Sequence, residues 1–158
     1  MFICCSGLRA TEYAWYNTRR IWHEAQRKVK RVNSQNAEGQ QAVLEAIASV
    51  RCGVSVSELQ IHALIEHALM QAGIDVKHEV RIAPRCRIDF VAGRIGIEIK
   101  KNRPERAKLI AQLSRYAACE QIDELIVVMS RGIDLPRTIG GKRITVIALE
   151  RLWGIWLP

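Results

Sequence analysis

The chain has 158 residues, 49% of them hydrophobic and 25% charged, a globular composition that excludes a disordered, collagen-like or fibrous protein. Lys and Arg total 24 against 16 acids, for a net charge of +8 and a pI near 9.6, which favours a polyanionic partner, nucleic acid ahead of anionic lipid. Five cysteines, odd in number and without C-x-x-C spacing, argue against a disulfide framework or a zinc site, and no window offers the roughly 20 apolar residues that span a bilayer.

From Thr11 to about Val32 the chain reads as a helix, with Trp15, Trp22, Ala25 and Val29 at helical spacing. Residues 1–32 carry seven basic side chains against Glu12 and Glu24. Such an arm either binds phosphates and stacks on bases or packs on the domain through its tryptophans. Asn33-Ser34-Gln35-Asn36 is a linker, so the expected division is a basic helical extension, 1–36, and a domain over 37–158. The opening MFICCSGLRA is too short in apolar residues for a signal peptide, and a cytoplasmic protein with no membrane contact is expected.

A helix over 37–51 ends at Cys52-Gly53, and a second starts at Ser57, where Ser57 and Gln60 fit a capping box. Its stripe is Ile61, Leu64, Ile65, Ala68 and Leu69, and Gly73 closes it. Val76, His78, Val80 and Ile82 alternate with charged residues as a half-buried strand. A basic helix follows from about Pro104 to Gln121, with Ala107, Ile110, Leu113 and Ala117 inward. Leu125–Met129 is a continuous apolar strand, Arg143–Leu149 a last strand, and ERLWGIWLP a tail suited to docking on the core or on a second subunit.

Between these lies Arg87–Lys101, RIDFVAGRIGIEIKK. Gly93-Arg94 suits a two-residue type II′ turn, which sets Ala92 opposite Ile95, Phe90 opposite Ile97 and Asp89 opposite Glu98. One face then carries Ile88, Phe90, Ala92, Ile95, Ile97 and Ile99; the other carries Arg87, Asp89, Val91, Gly96, Glu98 and Lys100. Two opposed carboxylates repel, and a divalent cation between them turns that repulsion into ligation by hard oxygen donors. Lys100, on the same face as Glu98, is suited to orienting water and to neutralising charge on a phosphate under attack.

Asp89, followed nine residues later by Glu98-Ile99-Lys100 across a hairpin, resembles the PD-(D/E)XK nuclease superfamily, and Gln112 and Tyr116 resemble the Q-x-x-x-Y element of its RecB-like members. Ile88 stands where the family name puts a proline. The resemblance covers residues 57–130 and implies an α/β, restriction-endonuclease-like mixed sheet with flanking helices in αβββαβ order, here with the basic N-terminal arm added. It implies catalytic Asp89, Glu98, Lys100, Gln112 and Tyr116, with Mg²⁺, replaceable by Mn²⁺, on Asp89, Glu98 and a helix glutamate. That third carboxylate is Glu58, with Glu66 and Glu79 as alternatives. Lys101, Arg103, Arg106, Lys108 and Arg115 crowd beside this group and suit a DNA backbone.

The expected function is that of a compact, phage-like, Mg²⁺-dependent deoxyribonuclease, with branched or structure-specific DNA as one substrate class. A homodimer through the apolar C-terminus and membership of a recombination, repair or defence complex fit the same reading. Two alternatives stay open: a non-catalytic DNA-binding protein using 37–72 as a helix-turn-helix and the 87–100 hairpin as a wing, and an inactive nuclease-fold subunit.

Overall fold

The computed structural model describes residues 37–51 and 56–152, with Glu24, Gln26 and Arg27 besides. The chain divides into two compact units, 1–39 and 40–158. In the first, Glu24, Gln26 and Arg27 are helical and exposed; the rest of the expected basic arm, the Cys52-Gly53 helix end and the tail beyond residue 152 lie outside the described residues.

The second unit is mixed α/β. Helix α1 (37–49) belongs to it from Gln40 onward and buries Val43, Ala46 and Ile47. Helix α2 (Glu58–Gln71) begins at the predicted capping box: Ser57 Oγ accepts from the Gln60 N–H at 3.2 Å, and Gln60 Oε1 accepts from the Ser57 N–H at 2.7 Å. Strands β1 (Val76–Ala83), β2 (Cys86–Ala92) and β3 (Ile95–Lys100) form an antiparallel meander, and helix α3 (Arg106–Ala117) leads to β4 (Glu124–Met129) parallel to β3. The short β5 (Thr138–Ile139), β6 (Lys142–Ala148) and a four-residue helix α4 (Leu149–Leu152) complete a six-stranded sheet in the order β1-β2-β3-β4-β6-β5. No helix among the described residues is long and apolar enough to cross a membrane.

The sheet is covered on both faces. Phe90, Ala92, Ile97, Ile99, Ile126 and Val128 pack with α1 and α2, while Ile88, Leu125, Val127 and Met129 pack with Leu109, Leu113 and Tyr116 of α3. The predicted turn holds: Gly93 has φ +59°, and Phe90 pairs with Ile97, Val91 with Gly96 and Ala92 with Ile95. The inner stripe of α3 is Leu109, Leu113, Tyr116 and Ala117, whereas Ala107 is exposed. The helix starts at Arg106, two residues after the expected Pro104, and Gln112 and Tyr116 turn toward β3.

Simple alternation fails at one point. Ile88 belongs to the α3 side although Phe90, two residues on, belongs to the α2 side; on β1, Val76 and Val80 divide in the same way. The cause lies at Glu79 and Asp89. Glu79 has φ +54°, a left-handed conformation rare outside glycine, and the β1–β2 pairing passes from His78↔Phe90 directly to Val80↔Ile88. Both strands change face there. Ile88 then needs space on the α3 side, and Gly96 supplies it: a Cβ on Gly96 would lie 2.6 Å from Ile88 Cδ1 and 2.9 Å from Leu125 Cδ2.

Candidate active site

The change of face sets up the site. Printed pairing of β2 with β3 ends at Phe90↔Ile97. Asp89 does not stand squarely across from Glu98; its Oδ2 accepts the backbone N–H of Ile99 at 2.7 Å. This contact occupies a donor at the point where the ladder opens.

Glu98 lies beneath α3. The face predicted to be polar is a second core, and Glu98 is 1% exposed within it. Gln112 Nε2 donates to Oε1 at 2.7 Å, and the Lys100 ammonium approaches the same oxygen at 2.5 Å. On the other oxygen, Oε2 is 3.1 Å from the Tyr116 hydroxyl. That hydroxyl accepts from Gln112 Nε2 at 2.6 Å and donates to the Arg87 carbonyl at 2.6 Å. A buried carboxylate demands such partners, since an unpaired one is costly.

Burial, followed by the charge of Asp89, raises the Glu98 pKa above its ordinary value, and the hydrogen bonds and charge of Lys100 only partly oppose this. For Lys100, burial favours the neutral amine, but Glu98, Asp89 and Glu58 together outweigh it and the pKa is raised. Lys100 is therefore a cation at neutral pH and acts as charge and hydrogen-bond donor. Burial, and then the charge of Glu98, also raises the Tyr116 pKa, so its phenol stays protonated.

The neighbouring carboxylates separate cleanly. Glu58, in the first turn of α2, accepts the Lys101 backbone N–H at 3.2 Å and contributes to the field at Lys100. Glu79 pairs with Arg87 at 2.6 Å, and Glu66 has no hydrogen bond or ion pair with Asp89, Glu98 or Lys100 among the described residues. His62, one turn along α2 from Glu58, places Nε2 3.8 Å from Asp89 Oδ2. Its ring meets those of His78 and Phe90, and His78 stacks on Phe90 at 4.6 Å. The spacing of Glu58 and His62 signals the first of these contacts. His78 gives no local signal, because its place depends on the β1–β2 register.

No protein-family model, curated protein or solved structure matches the chain.

Among the described residues, no three His, Cys, Asp or Glu side chains converge as a self-sufficient metal cage. The donor chemistry nevertheless fits a hard divalent cation. Mg²⁺ is commonly held by one or two carboxylates, with water and substrate phosphate filling the other positions. Asp89 Oδ1 has no hydrogen bond among the described residues, and the Glu98 carboxylate already holds a cationic group.

The five basic residues beside the site differ. Arg106 Nε donates to the Asp134 carbonyl at 2.8 Å, Lys108 pairs with Glu105 at 2.8 Å, and Arg115 donates to the Ala111 carbonyl of its own helix at 3.2 Å. The side chains of Lys101 and Arg103 have no hydrogen bond or ion pair among the described residues.

Proposed function

We propose that the chain is a divalent-metal-dependent nuclease of the PD-(D/E)XK type, with a restriction-endonuclease-like core, that hydrolyses phosphodiester bonds in DNA. One observation carries this reading: a buried strand carboxylate, Glu98, is held at once by Lys100, Gln112 and Tyr116 beside the carboxylate of Asp89. The order α2-β1-β2-β3-α3-β4 supports it.

Asp89 and Glu98 would hold Mg²⁺ or Mn²⁺, with Glu58 nearest to the third position. When bound, the metal supplies Lewis-acid polarisation of phosphate and a more acidic water. Lys100 stabilises negative charge gathering on the phosphate and orients water by donating a hydrogen bond. Gln112 and Tyr116 fix the carboxylate that in turn fixes Lys100. Lys101 and Arg103 engage the DNA backbone. The β2–β3 hairpin is flanked by β1 and β4, which leaves it no free edge to act as the wing of a DNA-binding domain.

The test is cleavage of duplex, single-stranded, branched and RNA substrates in Mg²⁺, Mn²⁺ and EDTA. Metal-dependent cleavage lost in Asp89→Ala and Lys100→Ala supports the reading. Cleavage that survives both substitutions would refute it, and metal-independent binding without cleavage would favour an inactive subunit.

A further inference from the structure

We infer that Cys86 and Cys119 form a dithiol pair that closes to a disulfide under oxidising conditions and clamps α3 onto β2. This rests on the pair alone and not on the proposed nuclease activity.

The two thiols are in hydrogen-bond contact. They come from segments 33 residues apart, and the contact is no accident of one flexible side chain. Cys86, the first residue of β2, is 5% exposed in the core beneath α3, and Cys119 packs against the same cluster. The backbones are tied independently: Tyr116 donates to the carbonyl of Arg87, the residue after Cys86, at 2.6 Å. Cys119 is further held by its backbone N–H on the Tyr116 carbonyl at 3.0 Å, and its own carbonyl accepts from Lys142 Nζ at 2.5 Å. Sulfur atoms in hydrogen-bond contact need to move by only about 2 Å to reach bonding distance.

The oxidant is a low-molecular-weight disulfide of the oxidised-glutathione class. Cys119, the more exposed thiol, loses its proton to solvent, and its thiolate attacks one glutathione sulfur. A protein–glutathione disulfide forms and one glutathione thiolate leaves. Cys86, deprotonated in turn, attacks the Cys119 sulfur, forming the Cys86–Cys119 bond and expelling the second glutathione thiolate. The protein loses two electrons and two protons, and the glutathione disulfide gains both electrons. Burial raises the Cys119 pKa, while the Lys142 charge works the other way; closure therefore accelerates toward alkaline pH.

The loop so closed runs from 86 to 119 and contains Asp89, Glu98, Lys100, Gln112 and Tyr116. Cross-linking it restricts the unfolded chain and holds the end of α3 that carries Tyr116 against β2.

The experiment incubates the full reduced chain in graded mixtures of reduced and oxidised glutathione, alkylates free thiols, and maps peptides by mass spectrometry, natively and in denaturing urea. The expected result is a linked Cys86–Cys119 peptide pair that dominates in the native sample and not in urea. It should come with a higher Tm that reverts on reduction. Cys119→Ser should abolish both the link and the oxidant-dependent Tm rise while melting like the reduced wild type. Both thiols recovered as alkylated, Cys119 left glutathionylated beside a free Cys86, or a link that fails to raise Tm would overturn the inference. The wild-type map decides the case even if the variant does not fold.

Discussion

Gln112 donates to Oε1 of Glu98 at 2.7 Å, the oxygen that Lys100 also holds, and reaches Tyr116 at 2.6 Å with the same amide nitrogen. One side chain of α3 thus joins both of the groups that satisfy a buried carboxylate. Removing it leaves Glu98 and Tyr116 under-satisfied where water is largely excluded. Gln112→Ala and Tyr116→Phe should each destabilise by about 1–3 kcal/mol. Because they break one shared network, the double variant should lose less than the sum of the two. Urea denaturation of the four proteins measures this coupling, and strict additivity would argue against a connected network.

Glu98 also sets a pH dependence. Its folded pKa is raised above the ordinary value of 4.5, mainly by burial. The folded state therefore binds a proton that the unfolded state has released. This contribution to stability is fully present below about 4.5 and is lost as pH rises through the raised folded value, at about 1.4 kcal/mol per unit of difference. In Glu98→Gln the position no longer titrates. The stability of Glu98→Gln relative to wild type should thus improve as pH rises across that window, even as cleavage is abolished. Chemical denaturation from acid to neutral pH checks the sign; a difference that is flat or of opposite slope would contradict it.

Asp123 gives the opposite case. Its pKa is lowered, chiefly by its hydrogen bond with Arg94, whose Nε and Nη2 contact Oδ2 and Oδ1 at 2.6 and 2.7 Å. This pair pins the β2–β3 turn to the segment after α3. Its stabilisation is present above the ordinary value of 3.8 and is lost as pH falls through the lowered folded value. Asp123→Asn should be less stable than wild type at neutral pH, with the gap closing on acidification. Solvent screening keeps the effect small, since the Asp123 side chain is 41% exposed. Paired melting curves at neutral and strongly acidic pH read it.

Gly96 carries a steric prediction. An added methyl would meet Ile88 Cδ1 at 2.6 Å and Leu125 Cδ2 at 2.9 Å, both fully buried side chains. Gly96→Ala should cost about 1–3 kcal/mol through overpacking. Ile88→Val removes the nearer atom, so it should restore part of the loss in Gly96→Ala while being mildly destabilising alone. Denaturation midpoints of the two single variants and the double variant test this.

These contacts mark how far local patterns reach. The capping box at Ser57, the turn at Gly93 and the run Leu125–Met129 were readable because each is decided within a few residues. The change of face at Asp89 was not, because it depends on a left-handed Glu79, a residue type that does not announce that conformation. Nor was the burial of Glu98 legible, since a charged residue alternating along a strand reads as solvent-facing until α3 covers it. The inner stripe of α3 departs from the expected positions because Gln112 and Tyr116 turn toward Glu98, a tertiary demand that helical periodicity does not contain.

The basic residues near the site separate into two groups by what already holds them. Arg106 and Lys108 are engaged with Asp134 and Glu105, whereas Lys101 and Arg103 follow directly on Lys100 with their charges uncommitted among the described residues. A charge that neutralises a phosphate on binding releases counterions, and each such contact adds about 0.9 to the slope of log affinity against log salt for duplex DNA. Lys101→Ala with Arg103→Ala should therefore weaken binding and flatten that slope by up to about 2. Arg106→Ala with Lys108→Ala should leave it nearly unchanged, because those side chains would have to give up protein partners to reach phosphate. Fluorescence anisotropy with labelled duplex in EDTA, titrated between about 50 and 200 mM salt, separates binding from cleavage. Equal slopes for the two double variants would show that backbone contacts are not concentrated at the end of β3.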